Sequence, residues 1–214
     1  MRLAAAIFFL VSSAGAAQAQ TAPVLPRNEV VASLGWFGAD YHHEGEYGNG
    51  WHPSLLAGVG AGRYWTDHLK TEVEAAWLSR VHAYSYERLT IDGATADVAS
   101  EYTFQTTKLS VAQVYQFGRN AWVHPFIGAG ADVDWLRTAE NRPAPGRSVY
   151  FVNGQTKTIP VVHEADKAVL FHPFVKTGFK WYLSERASFI SEWKFGFHQG
   201  FQHALWKSGF GLDF

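Results

Sequence analysis

The chain ends in a segment whose apolar and polar side chains alternate at every second position. One face of segment 206–214 carries Trp206, Ser208, Phe210, Leu212 and Phe214. The other face carries Lys207, Gly209, Gly211 and Asp213. Successive side chains of a β-strand point to opposite faces of the sheet, so the segment predicts a strand with one apolar and one polar face. A last strand that ends on an aromatic residue is typical of a membrane barrel, in which the apolar face meets lipid and the polar face lines a lumen.

The same alternation recurs through most of the chain and predicts eight strands. They span residues 28–38, 53–65, 69–80, 103–117, 121–137, 168–183, 187–198 and 204–214. In several of them charged residues recur on one face while aromatic and aliphatic residues occupy the other. A soluble β-sandwich would show the same alternation with its aromatic side chains turned inward. The pattern alone does not separate the two folds.

The lengths of the strands and of their connections favour the barrel. The predicted strands exceed the roughly 5–6 residues usual in globular sheets, and they are long enough to cross a bilayer when tilted. Tight turns at 65–68, 117–120 and 183–186 alternate with longer connections at 39–52, 81–102, 138–167 and 199–203. Short periplasmic turns and longer outside loops are the topology of a membrane barrel. We therefore predict an all-β fold, an eight-stranded antiparallel up-and-down transmembrane β-barrel.

The composition agrees with a protein that faces lipid. Charged residues make up 17% of the 214 residues, below the roughly 25% of soluble domains. Aromatic residues make up 16%, including nine tryptophans, and Trp and Tyr concentrate at membrane interfaces. The net charge of −1 argues against a nucleic-acid partner. The chain has no cysteine, which excludes disulfides and thiolate metal sites.

The first residues predict an export signal. Arg2 precedes a short apolar stretch, and Ala17–Gln18–Ala19 has the small-x-small pattern of a cleavage site. We expect a signal peptide over 1–19, a periplasmic lead over 20–27 and the barrel domain over 28–214. The alternative, a retained membrane anchor, is disfavoured because the apolar stretch is short.

Two of the long connections contain hairpin signals of their own. Asp92–Gly93 and Asn153–Gly154 each lie between short runs of strand-forming residues, and both dipeptides favour a two-residue hairpin turn. We therefore predict that the strands flanking these two connections continue past the membrane as exposed hairpins.

Three segments resemble sequence motifs of a known family. Residues 60–72, GAGRYWTDHLKTE, resemble its unit of a Gly-x-Gly-x-Tyr run, a tight turn and a Leu-x-x-Glu strand. Residues 124–130, HPFIGAG, resemble its Pro-aromatic-x-Gly-x-Gly strand, and residues 178–186, GFKWYLSER, resemble its penultimate hairpin. The chain over 28–214 is thus similar to the small OmpA-like outer-membrane β-barrel proteins. The resemblance implies the fold and a bacterial outer-membrane location, but no function, because a fold does not fix a function and this family shares no catalytic residues.

The polar face predicts a charged lumen. The interior of an eight-stranded barrel is just wide enough for side chains to fill. The charged residues expected there are Lys70, Glu72, Glu74, Lys108, Asp132, Asp134, Lys176, Lys180, Glu192, Lys194 and Lys207. Because both signs are present and buried charges need partners, we expect a network of ion pairs that plugs the lumen. The alternative is a narrow ion path.

The apolar face predicts two aromatic belts at the membrane interfaces. Trp65 and Trp181 lie near the tight turns, and four others lie nearer the long connections: Trp36, Trp77, Trp135 and Trp206. The alternative, a surface on which sugars stack, is disfavoured because these tryptophans are spread over many strands.

The sequence offers two weaker candidates for chemistry. Eight histidines are expected at or beyond the rim of the barrel: His42, His43, His52, His82, His163, His172, His198 and His203. With Glu44, Glu46 and Glu164 they could bind a divalent transition metal, but no fixed ligand spacing supports a site. His52 and Ser54 share a strand face and could form a nucleophile pair of a lipid A-modifying enzyme, although Pro53 separates them. We predict no catalytic residue, no metal and no cofactor.

The function expected from the sequence is that of a non-enzymatic surface or envelope protein, with loop-mediated binding or adhesion. The expected partners are outer-membrane lipids, the barrel assembly machinery through Phe214, and an extracellular ligand at the long loops. The alternatives are a lipid A-modifying enzyme and a narrow channel for small solutes.

Overall fold

The computed structural model describes residues 27–40, 51–91, 94–118, 122–143, 149–152, 155–158, 162–197 and 201–214. Nearly all of these residues lie in β-strands. The strands are β1 (Asn28–Asp40), β2 (Trp51–Tyr64), β3 (Leu69–Leu78), β4 (Val81–Ile91), β5 (Ala94–Gln116), β6 (Val123–Arg142), β7 (Val149–Val152), β8 (Gln155–Thr158), β9 (Val162–Tyr182), β10 (Ala187–Phe197) and β11 (Phe201–Asp213). In the described part of the chain, no helix is long and apolar enough to cross a bilayer.

Eight of the strands close into an antiparallel barrel, which confirms the predicted fold. Their order around the wall is β3, β2, β1, β11, β10, β9, β6 and β5, and β5 pairs with β3 to close the cylinder. The first and last barrel strands pair from Glu29 opposite Asp213 to Ala39 opposite His203, and two further backbone hydrogen bonds join their ends. The N–H of Asn28 donates to the carbonyl of Phe214 at 2.8 Å, and the N–H of Phe214 donates back at 2.9 Å.

Tight turns join the strands at one end of the barrel, which we call the turn end. The Trp65 N–H donates to the Leu69 carbonyl at 2.8 Å, and the Leu183 N–H donates to the Ala187 carbonyl at 2.8 Å. Both turns were predicted at these positions. Gly118, in the third predicted turn, has a φ of 86°, which favours a residue without a Cβ; residues 119–121 of this connection lie outside the described residues.

At the opposite end, four strands continue past the barrel as an extension formed by β4, β5 and the outer parts of β6 and β9. β4 pairs with β5 from Val81 opposite Phe104 to Ile91 opposite Ala94. β6 and β9 stay paired as far as Arg142 opposite Val162. Paired strands continue beyond the barrel as predicted, and β5, β6 and β9 are longer than the sequence indicated. β3 does not continue: it ends at Leu78, and β4 begins at Val81 as a separate strand. β7 and β8 form a separate two-stranded sheet.

Several predicted features lie outside the described residues. They are the segments 1–19 and 20–26, most of the first long connection, the turns at 92–93 and 153–154, and residues 198–200.

The alternation predicted from the sequence sorts the side chains between the two faces of the barrel wall. Large apolar residues such as Leu34, Val169 and Phe210 are exposed on the outer face. The inner face carries small apolar clusters, among them Phe37 with Leu56, Leu78 and Leu205. Most of the remaining interior is polar.

Candidate functional site

The interior of the barrel is the most chemically distinctive part of the molecule. Near the turn end it holds Glu29, Lys70, Lys180 and Asp213, which we call the turn-end cluster. The ammonium of Lys180 lies 2.6 Å from Glu29 Oε1 and 2.7 Å from Asp213 Oδ1. Lys70 Nζ lies 2.5 Å from Glu29 Oε2. Four strands, β1, β3, β9 and β11, are thereby linked through their inward side chains.

A middle cluster continues the pattern with Glu72, Glu74, Lys176, Glu192 and Lys207. Lys176 pairs with Glu72 and, at 2.9 Å, with Glu192 Oε2. Lys207 pairs with Glu74 and lies 3.2 Å from Glu192 Oε1. Lys70 Nζ is also 2.5 Å from Glu72 Oε1, which joins the middle cluster to the turn-end cluster. Ammonium and carboxylate groups therefore alternate without a break from Asp213 to Glu74.

An extension-end cluster fills the other half of the interior with Lys108, Asp132, Asp134 and Lys194. Lys194 Nζ lies 2.9 Å from Asp132 Oδ1 and donates to Ser110 Oγ at 2.8 Å. Lys108 pairs with Asp134, and its Nζ lies 3.6 Å from Asp132 Oδ2. Aromatic rings cover both cations: the Lys194 ammonium is 4.1 Å from the centroid of Phe174, and that of Lys108 is 4.8 Å from Phe37.

Two histidines complete this cluster, which corrects one sequence expectation. His172 and His203 were expected at the rim, but both are buried inside the barrel. Their Nε2 atoms lie 3.6 Å from Asp134 Oδ2 and from Asp132 Oδ2, respectively, and the two rings meet edge to face. The expectation was wrong because β9 and β11 reach further than predicted, which places these residues on inward positions of the wall.

The packed side chains leave little free space in the lumen. A cavity of about 30 Å³ remains beside the middle cluster, among Glu29, Glu72, Glu192 and Lys207. A larger hollow lies at the wall, lined mainly by lipid-facing residues such as Val30, Val73 and Leu212.

The structure places every lysine and carboxylate of the expected lumen network on the inner face, and each makes an ion pair. The ion pairs also include two carboxylates that the expected set lacked, Glu29 and Asp213. Asp213 was assigned to the polar face of the last strand. Glu29 lies on the same face of β1 as Ser33, which is four residues along the strand. Extending the alternation to the ends of these strands would have found both residues.

The six tryptophans of the expected belts are all exposed on the outer face. Two further exposed tryptophans, Trp122 and Trp193, were not among the expected belt residues. Trp36 lies opposite Trp206 in the sheet, and Trp206 lies opposite Trp193, with ring centroids of the latter pair 6.0 Å apart. The three side chains form a continuous aromatic row across β1, β11 and β10.

The extension carries a polar cluster on its outer face. Glu101 Oε1 accepts a hydrogen bond from His82 Nδ1 at 2.8 Å and one from the Tyr84 hydroxyl at 3.3 Å. Asn141 Nδ2 donates to Glu101 Oε2 at 3.4 Å, and His163 Nδ1 lies 2.7 Å from Asn141 Oδ1. The hydrogen bond from His82 is the largest cause that holds the pKa of Glu101 below its usual range. The cluster joins four neighbouring strands.

The described residues give little support to the two weaker candidates for chemistry, the metal site and the pair of His52 and Ser54. Among the described residues, no group of three or more His, Asp or Glu side chains has an arrangement that could hold a metal ion. Ser54 is buried and its hydroxyl donates to the Leu55 carbonyl at 3.4 Å. The side chain of His52 lies outside the described residues.

A closed antiparallel barrel with an apolar exterior and a charged interior defines a transmembrane β-barrel. The chain belongs to the outer membrane protein beta-barrel domain family, which matches residues 4–214. This membership places the protein in the bacterial outer membrane. A comparison with curated protein sequences finds no match.

Solved structures of similar fold come from several bacteria. The N-terminal barrel domain of Pseudomonas aeruginosa OprF is 13% identical, covers 88% of this chain and 97% of its own, and has a TM-score of 0.48. Neisserial surface protein A is 11% identical, with 88% and 97% coverage and a TM-score of 0.49. The attachment invasion locus protein Ail of Yersinia pestis is 8% identical, with 88% and 98% coverage and a TM-score of 0.46.

Proposed function

We propose that this protein is a non-conducting, non-enzymatic barrel whose specific work is binding by the extension on the cell surface. The observation that carries the proposal is the filled lumen. Its ammonium and carboxylate groups are paired from one end to the other, and the cavity beside the middle cluster measures only about 30 Å³. In this proposal the ion-pair network plugs the barrel, and the aromatic belts hold it at the two membrane interfaces.

The extension is the part that is free to meet a partner. β5, β6 and β9 contain 23, 20 and 21 residues, whereas a tilted membrane strand needs about 9–11. Their outer faces change from Trp135 and Val169 to polar residues such as Asn141 and His163. The hydrogen bonds around Glu101 tie the four strands together. The extension therefore offers an ordered β-surface, which lowers the entropic cost of binding a partner.

The binding role is tested by trimming the extension. Tyr84 and Glu101 lie opposite each other, so residues 84–101 can be replaced by an Asn-Gly turn that keeps Ala83 opposite Tyr102. Bacteria that display the trimmed barrel are expected to adhere less to a collagen-coated surface and to epithelial monolayers than bacteria that display the full chain. Heat-dependent gel mobility must first show that the trimmed barrel folds. Unchanged adhesion to both surfaces would count against the proposal.

The closed lumen is tested separately in planar bilayers. The purified barrel is expected to give no stable conductance, whereas a general porin in the same bilayer serves as the positive control. A stable conductance of the order of a nanosiemens would show an open lumen and refute this half of the proposal.

A further inference from the structure

Three exposed cations lie where the wall of the barrel passes into the extension. Arg137 of β6 and Lys167 of β9 are directly opposite each other in the sheet. Gln105 of β5 is opposite Arg137 on its other side. Arg80 lies at the junction of β3 and β4, between Trp77, which is opposite Thr107, and Val81, which is opposite Phe104. Arg80 is exposed at this junction, and we call Arg80, Arg137 and Lys167 the basic row.

The protein does not neutralise this row. Within the described part of the chain, none of its three side chains forms an ion pair, in contrast to Arg88, which lies 2.9 Å from Asp97 in the same extension. The outward neighbours along β6 and β9 are neutral, for example Ala139 opposite Ala165. Asp166 precedes Lys167, but the alternation of the strand turns its side chain to the other face, and its Oδ1 accepts the Lys167 backbone N–H at 2.7 Å.

Two unpaired cations on opposite positions of neighbouring strands repel each other. Such positions place the Cα atoms about 4.5–5.5 Å apart in an antiparallel sheet, and like charges there destabilise the pairing. An anion between the two side chains would convert the repulsion into two attractive contacts.

The position of the row indicates the source of the anion. Nearer the middle of the barrel, the next outward positions of the wall are Trp77, Thr107, Trp135 and Val169, which follow one another in register. Trp77, Trp135 and Val169 are exposed, and exposed tryptophans of a membrane barrel lie at the level of the lipid headgroups. The basic row is thus next to the headgroups of the outer leaflet.

We propose that the basic row binds the phosphate group of an anionic lipid headgroup. The planar guanidinium of Arg137 can donate two parallel hydrogen bonds to one phosphate, and the Lys167 ammonium can approach the same group from the next strand. The site is confined to one side of the barrel. On the opposite side, the equivalent outward residues are Phe195, Ala204, Gly38 and Pro53, which follow one another in register.

The test uses the full barrel in dodecyl maltoside and phosphatidic acid as the probe. Native mass spectrometry after titration measures the lipid that remains bound. Replacing both partners, Arg137→Gln with Lys167→Gln, is expected to weaken phosphatidic acid binding about tenfold, because hydrogen bonds between charged groups are lost. Arg88→Gln is the matched control, since it removes one cation from the same extension, and it is expected to change binding less than about twofold.

A further variant and two competition measurements distinguish binding of a lipid phosphate from binding of free phosphate. Arg137→Lys keeps the charge but not the planar fork, and it is expected to bind with intermediate affinity. Phosphatidylcholine should not compete, because the choline ammonium offsets the negative charge of its phosphate, and millimolar inorganic phosphate should not displace the lipid. Equal binding by the wild type and the double variant would overturn the proposal. Displacement by inorganic phosphate would overturn the assignment to a lipid. The proposal does not depend on the adhesion role, because trimming residues 84–101 leaves all three cations in place.

Discussion

At the residue scale, the stability of the barrel depends on a few buried charged side chains in its interior. Lys180 is 1% exposed and holds Glu29 and Asp213 together from a third strand. A buried ion pair of this kind contributes little net stability compared with apolar packing, but breaking it leaves an uncompensated charge in the interior. The consequence is a strong asymmetry between substitutions inside the barrel and substitutions on its surface.

We predict that Lys180→Met destabilises the barrel by about 3–5 kcal/mol, since Asp213 is left buried without its cation and Glu29 keeps only Lys70. Urea unfolding in lipid vesicles, followed by tryptophan fluorescence, measures the effect. Arg88→Met is the control, because Arg88 and Asp97 are exposed and such pairs contribute about 0–1 kcal/mol. Equal unfolding midpoints for the two variants would contradict the prediction.

Glycines on the inner face give a second prediction at this scale. A Cβ added at Gly130 would overlap the backbone oxygen of Val111 and the ring of Phe174. A Cβ at Gly62 would meet no atom closer than Glu29 Oε2, at 3.4 Å. Gly130→Ala is therefore expected to cost about 1–3 kcal/mol of unfolding free energy through overpacking, and Gly62→Ala less than about 0.5 kcal/mol. The same urea assay measures both, and a larger cost at Gly62 would refute the packing argument.

At the element scale, the extension is a sheet whose strands are linked by side chains as well as by the backbone. Glu101 receives hydrogen bonds from β4 and from β6, and Asn141 contacts His163 of β9. These contacts cross strand boundaries outside the membrane, where water competes for the same groups. Their contribution therefore depends on the protonation state of Glu101.

We predict that His82→Ala raises the pKa of Glu101 toward its ordinary value, because the hydrogen bond from His82 is the main cause of its depression. Carbon-detected NMR titration of labelled carboxylates measures the shift. Asp97 is the internal control: its lowered pKa is set by Arg88 and should not change. An unchanged Glu101 titration in the variant would show that His82 is not the cause.

The lowered pKa of Glu101 also determines how the stability of the extension depends on pH. A carboxyl whose pKa is lowered on folding stabilises the folded state above its unfolded pKa, which is about 4.3 for Glu. This contribution is lost as the pH falls through the lower folded value. Pairing of β4 with β5 near Glu101 is thus expected to weaken only below about pH 4.3, and hydrogen exchange of the β4 amides as a function of pH measures this. Weakening that began near neutral pH would point to histidine instead.

At the scale of the whole molecule, the barrel has one end with tight turns and one end with long strands. Outer-membrane barrels place their short turns in the periplasm and their longer connections outside the cell. The direction of the molecule in the membrane is therefore a testable property of the fold. The absence of cysteine from the sequence makes the test direct.

We predict that Thr90→Cys, at the far end of β4, reacts with a membrane-impermeant maleimide on intact cells. Glu185→Cys, in the turn between β9 and β10, should react only after the outer membrane has been permeabilised. Both positions are exposed in the folded barrel, so access to the reagent depends on the side of the membrane. Labelling of Glu185→Cys alone on intact cells would reverse the assigned direction.

The sequence by itself determined the class of fold and the sorting of side chains between lipid and lumen. Strand alternation has a fixed period of two, so local order along the chain is enough to assign Trp77 outward and Glu72 inward. The alternation of short and long connections set the topology in the same way. These features are local, so they were predicted correctly although several predicted strand ends were wrong by a few residues.

Only the tertiary structure decided which charges meet and how far the wall extends. The partners Lys180 and Glu29 are remote in sequence, and their contact depends on the register and closure of strands that the pattern does not fix. The greater length of β9 and β11 placed His172 and His203 in the interior and not at the expected rim. The pairing of β6 with β9 also aligned Arg137 with Lys167, because cross-strand register is set by the assembled barrel and not by any one segment.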